Sequence, residues 1–357
     1  MQVNKAVITA AGRGARQFPG SDSVQKSMLP LVDRDGASKP VLQIIAEEAI
    51  ESGIEKICVV CGPGDEDVYR RHFHAYAAQL KTGGSSLDTP LASRQAIRVA
   101  EIQDRLEFAL QETAEGYGHA VWSAKKFVGD DPFLLLLGDH VYLSGEERRC
   151  ARQLIDTARE QGKAVSAVKA TAEHLIHLYG TIQGHRVQGK SGLYRVSEVI
   201  EKPNPSLAEL RLMVPGLRQG HYLCFFGIHV LEPLVMEMLD DAIKDPLRDK
   251  KPIGLTPALN QLAKANRLLA LEAAGQRHNL GTKFGVVDAQ IAMALSGIDR
   301  DEMMELLLGT VLRIRRHEDS QPAGAPNGGS LGGSLNPNGG SLSQPGTDQG
   351  PRGGKWA

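Results

Sequence analysis

The chain has 357 residues, 41% hydrophobic and 23% charged, with a formal net charge of −1. That is enough for one large domain, or a domain with an appended subdomain, and the charge balance excludes a global pull toward nucleic acid or an anionic membrane. No apolar run reaches the ~20 residues of a membrane-spanning helix, and Met1 leads almost directly into a strand, so the expected setting is cytoplasmic.

Ala6–Ala10 reads as an apolar strand that runs into Ala11-Gly12-Arg13-Gly14-Ala15-Arg16, with Lys26-Ser27-Met28-Leu29-Pro30 after it. Small residues let phosphate oxygens reach bare backbone N–H groups, and Arg16 and Lys26 supply cations to neutralise them. Taken alone, the loop is also compatible with a tight strand–helix connection. It has no G-x-x-x-x-G-K-[ST], and Gln17 stands where the third glycine of G-x-G-x-x-G belongs.

Further along, Pro40 opens a helix in which Val41, Ile44, Ile45 and Ala49 recur at helical spacing, and Gly53 stops it. Lys56–Val60 reads as a strand, Asp65–Phe73 as a helix and 75–96 as a small, polar loop. Gly118–Phe127 reads as a helix, and the unbroken apolar run Phe133–Leu137 as a strand covered on both faces. A helix over Glu146–Gln161 leads to strand Ala164–Lys169. This alternation implies an α/β fold with a mixed, mostly parallel central sheet and helices on both faces. Thr181–Gln183, Leu193–Val199 and Tyr222–Val230 follow as strands. Pro233–Ile243, Thr256–Ala265, Lys283–Leu295 and Arg300–Leu312 read as helices. From residue 318 the composition turns to Gly, Ser, Pro, Asn and Gln, with Gly-Gly-Ser-Leu at 328, 332 and 339. Such a segment cannot offset its chain entropy and is expected to be a disordered tail over 318–357.

The four cysteines are Cys58, Cys61, Cys150 and Cys224. Cys58 and Cys61 form a C-x-x-C inside a β-branched run, which places their side chains on opposite faces of a strand. No second pair supplies zinc spacing, so they read as core residues of a reduced protein.

Four later segments can carry chemistry. Gln111, with Gly116-Tyr117-Gly118-His119-Ala120, offers a donor and acceptor beside a glycine-lined approach, suited to the edge of a nucleobase; it is equally a loop and helix start. Asp139 follows strand Phe133–Leu137, where open α/β sheets place ligands, and is either a Mg²⁺ ligand or a turn residue. Tyr179-Gly180 with Glu201-Lys202-Pro203, and Asn279-Leu280-Gly281-Thr282-Lys283, carry charge that solvated turns carry too.

Together these residues resemble the sugar-nucleotide pyrophosphorylases, in particular the bacterial UTP–glucose-1-phosphate uridylyltransferases. Their opening reads A-G-x-G-T-R and P-K-E-M-L-P, and later motifs read R-Q-G-x-A-x-G-L-G-H-A, L-G-D, E-K-P and D-x-G-N-K-x-G-Y. The resemblance runs in order to about residue 295 and implies a Rossmann-like nucleotidyltransferase fold over 1–317. It implies uridylyl transfer from UTP to glucose 1-phosphate with Mg²⁺, no nucleic-acid or membrane partner, and self-association.

Residue by residue, it implies that Arg16 and Lys26 are catalytic. Ala11, Gly12, Gly14, Gln111 and Gly116 meet the nucleotide, with Gln111 reading uracil. Gly180, Glu201, Lys202 and Lys283 seat the sugar phosphate, and Asp139 binds the metal. Beside Gln111, Leu110 replaces the motif's arginine and Glu112 its glycine, and the other departures cluster on acidic positions. Ser27 replaces the Glu after the lysine, Asn279 replaces an Asp, and Ile253-Gly-Leu-Thr-Pro257 loses two acids of E-I-Q-L-T-D. These changes keep open another sugar phosphate, dTTP as donor, or a non-catalytic sensor. A nicotinamide dehydrogenase is disfavoured, because strand two ends in Cys61-Gly62 without an acid.

Overall fold

A computed structural model describes residues 1–12, 24–82, 89–248 and 250–319. The loop positions Gly14 and Arg16, and nearly all of the expected tail, lie outside these residues. The chain divides into two compact units, Met1–Leu306 and Leu307–Ala357, and the fold below is that of the first.

Its strands in chain order are β1 (Lys5–Thr9), β2 (Pro30–Val32), β3 (Ser38–Pro40), β4 (Lys56–Cys61), β5 (Leu106–Leu110), β6 (Phe133–Leu137) and β7 (His140–Ser144). β8 (Ala164–Ala172), β9 (Gly180–Arg186), β10 (Leu193–Glu201), β11 (His221–Leu231), β12 (Leu268–Glu272) and β13 (Gly275–Asn279) follow. Nine of them form one sheet in the order β5-β4-β1-β6-β11-β8-β12-β10-β9. β5, β4, β1 and β6 are parallel throughout. β11 then enters antiparallel to both β6 and β8. β11 also pairs with β9 through Leu223↔Ile182 and Cys224↔Thr181, so β11, β8, β12, β10 and β9 close into a ring.

In the parallel half, β1, β4 and β6 are apolar along most of their length and buried on both faces, and β5 is the partly exposed edge. Ala6 and Ile8 of β1 pack in one core layer, and Val7 packs in the other. Cys61 and Cys58 divide between the same two layers, as their spacing predicts, and all four cysteines are buried free thiols. The chain leaves β1 for β4 on one side and returns to β6 on the other. That reversal opens a crevice beyond the carboxyl ends of β1 and β6, a position where α/β sheets bind ligands. Gly138 makes the crossing possible: its N–H donates to Thr9 O (2.9 Å), and a Cβ there would lie 2.6 Å from the same oxygen.

Where a loop was expected over 75–96, helices run over Glu66–Thr82 and Pro90–Gln103. The second is capped by Thr89, whose hydroxyl accepts from Ala92 N (3.1 Å), and buries only the narrow stripe Ala96, Val99 and Ile102. A stripe that thin among polar residues escapes a periodicity reading. The expected helix 118–127 is broken at Ala124 into Tyr117–Ser123 and Lys125–Val128. Among the described residues, no helix is long and apolar enough to cross a membrane.

Candidate active site

Two cavities meet in the crevice. One, of about 420 Å³, is lined by Thr9, Ala10, Ala11 and Gly12 at the end of β1, with Ser27, Gln111 and Gly116. The other, of about 890 Å³, lies against the strand ring and is lined by Gly180, Glu201, Lys202, Phe225, His229 and Thr256, among others. Lys26, Tyr117, Leu137 and Asp139 line both, so these four residues mark the junction.

Lys26 opens a one-turn 3-10 helix, Lys26–Met28, and is buried although charged. Its Nζ lies 3.4 Å from Asp139 Oδ2, while His140 Nδ1 donates to Asp139 Oδ1 at 2.8 Å. Burial alone would raise the Asp139 pKa. The hydrogen bond and charge of His140, with Lys26, outweigh burial and hold the carboxyl well below the ordinary range. β7 and β13 form an antiparallel ribbon that sets Asn279 opposite His140, and Leu280 N donates to Asp139 O (2.9 Å). Asn279 Oδ1 accepts from Gly281 N (2.8 Å). A Cβ on Gly281 would fall 3.0 Å from Asn279 Oδ1, 3.0 Å from Asp139 Oδ2 and 3.1 Å from Lys26 Nζ. Glycine at 281 therefore keeps open the one gap that three polar groups face.

Among the described residues, no group of three or more His, Cys, Asp or Glu side chains is arranged to hold a metal. Asp139 and Asn279 offer one carboxylate and one amide oxygen. That hard, sparse donor set fits Mg²⁺, which keeps waters and takes substrate phosphates as its remaining ligands.

In the smaller cavity, Gln111 directly follows β5 and is buried. Its Nε2 donates to Gly116 O (3.2 Å) and His119 Nδ1 (3.1 Å). Gly116 has φ +117°, and a Cβ there would sit 2.5 Å from Ile253 O. Its glycine thus serves the packing of segment 252–254 as well as the cavity wall. Ser27, in place of the family's Glu, shares a hydrogen bond with Tyr69 Oη (2.9 Å), which donates on to Ala10 O (3.3 Å). The exchange turns an acidic position into a neutral brace between the lysine turn and β1.

In the larger cavity, Gly180 starts β9 directly opposite Glu201 at the end of β10. A Cβ on Gly180 would lie 2.7 Å from the Phe225 ring and 3.1 Å from Glu201 Oε2. Glu201 Oε2 accepts from Thr256 Oγ1 (2.9 Å), and Lys202 Nζ stands 3.7 Å from Glu201 Oε1. Lys202 has φ +47°, an uncommon backbone state for a residue with a side chain. β11 slips register between Phe225 and His229, around Gly227 at φ +93°, and this bulge brings both rings to the cavity. His229 shares a hydrogen bond with Ser166 Oγ (2.7 Å), and burial pushes its pKa down to about 4, so it is neutral at pH 7. Lys283 lines neither cavity. It is exposed, with Nζ 5.2 Å from the Phe284 ring centroid.

The sequence pattern thus brings Lys26, Asp139, Ala11, Gly12, Gln111, Gly116, Gly180, Glu201 and Lys202 to one crevice, with Asn279 and Gly281. It does not single out His140, Phe225, His229 or Thr256 as wall residues. His140 adjoins Asp139 and Thr256 sits in the altered 253–257 segment; the other two depend on a bulge that leaves no local signal.

A third cavity, of about 690 Å³, is lined by Asp33, Lys39, Glu47 and Arg149 among others. Its charges neutralise one another: Lys39 Nζ pairs with Asp33 (2.7 Å), Asp35 (2.9 Å) and Glu47 (2.8 Å).

The nucleotidyl transferase family pattern matches residues 5–268. The UTP–glucose-1-phosphate uridylyltransferase of Streptococcus pneumoniae serotype 4 is 34% identical over 303 residues, 82% of this chain and 91% of that protein. Among solved structures, a UDP-glucose pyrophosphorylase from Acinetobacter baumannii superposes with a TM-score of 0.71 at 25% identity, covering 87% of this chain and 100% of that one. A UDP-glucose pyrophosphorylase complexed with UDP-glucose superposes with a TM-score of 0.64 at 25% identity, covering 82% and 98%.

Proposed function

The chain belongs to the nucleotidyl transferase family, among its UTP–glucose-1-phosphate uridylyltransferases, and from that premise we propose how its two cavities divide the work. It is an enzyme that transfers a uridylyl group from UTP to glucose 1-phosphate, giving UDP-glucose and pyrophosphate. One observation carries the division: two differently built cavities adjoin and share Lys26 and Asp139 in their walls.

UTP takes the smaller cavity, its phosphates against the backbone of Ala11, Gly12 and the loop through Gly14, its uracil against Gln111. Glucose 1-phosphate takes the larger one, its hydroxyls at Glu201 and its phosphate at Lys202. The 1-phosphate oxygen attacks the α-phosphorus in line, and pyrophosphate leaves. The sugar phosphate is itself the nucleophile, so catalysis reduces to alignment and charge neutralisation. Lys26 neutralises the charge that builds on the α-phosphorus oxygens, and Arg16 balances the departing pyrophosphate. Asp139, with Asn279 beside it, would hold Mg²⁺, which supplies further positive charge to the phosphates when bound. The setting is the cytoplasm, in keeping with four free thiols.

Pyrophosphate release measured with UTP or dTTP, each against a panel of sugar 1-phosphates, tests the reading. Fastest release with UTP and glucose 1-phosphate is expected. A preference for dTTP or another sugar would reassign the substrate, and UTP binding without turnover by any pair would identify a sensor.

A further inference from the structure

Tyr117 opens the helix Tyr117–Ser123 and lines both cavities, where the related motif quoted above carries Leu. Its hydroxyl is buried and has no hydrogen-bond partner in the protein. Two other buried polar side-chain atoms share that condition among the described residues, Gln103 Oε1 and His278 Nε2, and neither residue lines the two cavities. An unpaired buried hydroxyl costs stability, so a fold retains one where something else supplies its partner.

The surroundings say what that partner is. Tyr117 lines the smaller cavity together with Asp139 and the larger together with Asp139 and Glu201, and the charges of both acids act on the phenol. Burial is the largest influence and raises its pKa, so the group keeps its proton and offers a hydrogen. The Thr9 hydroxyl lowers the pKa, as a group set to donate toward the phenol oxygen does, and the phenol's own hydrogen is left without an acceptor. The missing partner is therefore an acceptor located between the two cavities. On the uridylyl-transfer reading, the groups that lie there are phosphates.

We propose that Tyr117 Oη donates a hydrogen bond to a phosphate oxygen of the sugar 1-phosphate as it lies against the α-phosphorus of UTP. The inference rests on the uridylyl-transfer reading. The tyrosine keeps its proton and makes no covalent bond. It adds a neutral donor beside Lys26, at the end of the site where Asn279 contributes no charge, and it counters the repulsion that Asp139 and Glu201 exert on an incoming dianion.

The test compares Tyr117→Phe and Tyr117→Leu with wild type in forward kinetics with varied glucose 1-phosphate and UTP, in thermal melting, and in calorimetric titration with glucose 1-phosphate. For Tyr117→Phe, kcat/KM for glucose 1-phosphate should fall about 10-fold or more, by analogy with loss of one oxyanion donor. KM for UTP should stay within twofold and Tm should hold or rise, because an unpaired buried hydroxyl is gone. Kinetics within twofold of wild type would overturn the assignment, as would a lowered Tm with both KM values raised together. If wild type itself gave no turnover, uridylyl transfer would fall, and the titration would decide for the tyrosine: weaker glucose 1-phosphate binding by Tyr117→Phe supports it, equal binding refutes it. Tyr117→Leu loses the ring as well as the donor, so its kcat/KM for glucose 1-phosphate should fall at least as far as that of the Phe variant.

Discussion

The two cavities that share Lys26 and Asp139 are built from different materials. The smaller is walled by strand-end backbone, small residues and buried side chains: Ala10 and Ala11, Gly138 tight against Thr9 O, and Gln111 tied to Gly116 and His119. The larger is walled by side chains from the ring of β9, β10 and β11, including the half-exposed Glu201 and Lys202. A triphosphate is a constant ligand that backbone N–H groups and a fixed lysine can bind. A sugar is a variable one, and side chains on a separate ring can change without disturbing the parallel sheet. Of the acidic losses relative to the family, Asn279 and the 253–257 segment line the sugar side, and Ser27 lines the nucleotide side.

That contrast can be broken most severely at the junction. Lys26→Ala should lower kcat by roughly 10²–10³ with little change in UTP affinity, by analogy with removal of a single oxyanion donor. A rate within fivefold of wild type, from single-turnover assays, would remove Lys26 from the reaction.

A second prediction separates the cavities by acid. The ordinary His pKa is about 6.5 and burial brings that of His229 down to about 4, so the native state resists a proton that the unfolded chain accepts. The stability His229 lends is therefore complete above about pH 6.5 and is lost as pH falls toward 4. At pH 5 the loss should be about 2 kcal/mol. Urea unfolding from pH 7.5 to 5 should show that slope in wild type and a flatter one in His229→Gln. Equal slopes would mean that the buried ring is not the acid-sensitive element of the sugar side.

Asn279→Asp probes the junction from the opposite direction. Restoring a carboxylate beside Asp139 should lower the Mg²⁺ concentration for half-maximal rate about 10-fold, the low end of what metal-site supporting groups contribute. An unchanged Mg²⁺ dependence would show that position 279 does not face the ion. The smallest effect is expected at Thr256, whose hydroxyl holds Glu201 (2.9 Å). Thr256→Val should raise KM for glucose 1-phosphate roughly 3–10-fold, the worth of one hydrogen bond, and leave KM for UTP alone. A matching rise for UTP would argue against separate cavities.

Three of the four parallel strands were legible because Ala6–Ala10, Lys56–Val60 and Phe133–Leu137 are largely apolar runs buried on both faces; β5, Leu-Glu-Phe-Ala-Leu, is partly exposed and carries no such run. β2, β3, β5, β7, β12 and β13 were not recognised. β13 is the polar stretch Gly-Gln-Arg-His-Asn, half of a two-stranded ribbon, and its strand character comes from pairing with β7 rather than from its own residues. The nucleotide side of the site was legible for the same reason as the parallel sheet, since a strand, its loop and the following lysine lie close along the chain. The sugar side is assembled from β9, β10, β11 and the 252–257 segment, and its wall residues meet only after the ring closes.

The division of substrates is tested most directly by a crystal structure with UDP-glucose bound. The account predicts uracil beside Gln111, glucose beside Glu201, and the diphosphate crossing between Lys26 and Tyr117. UDP-glucose held wholly within one cavity, or in the charged cavity of Asp33, Lys39 and Arg149, would contradict it.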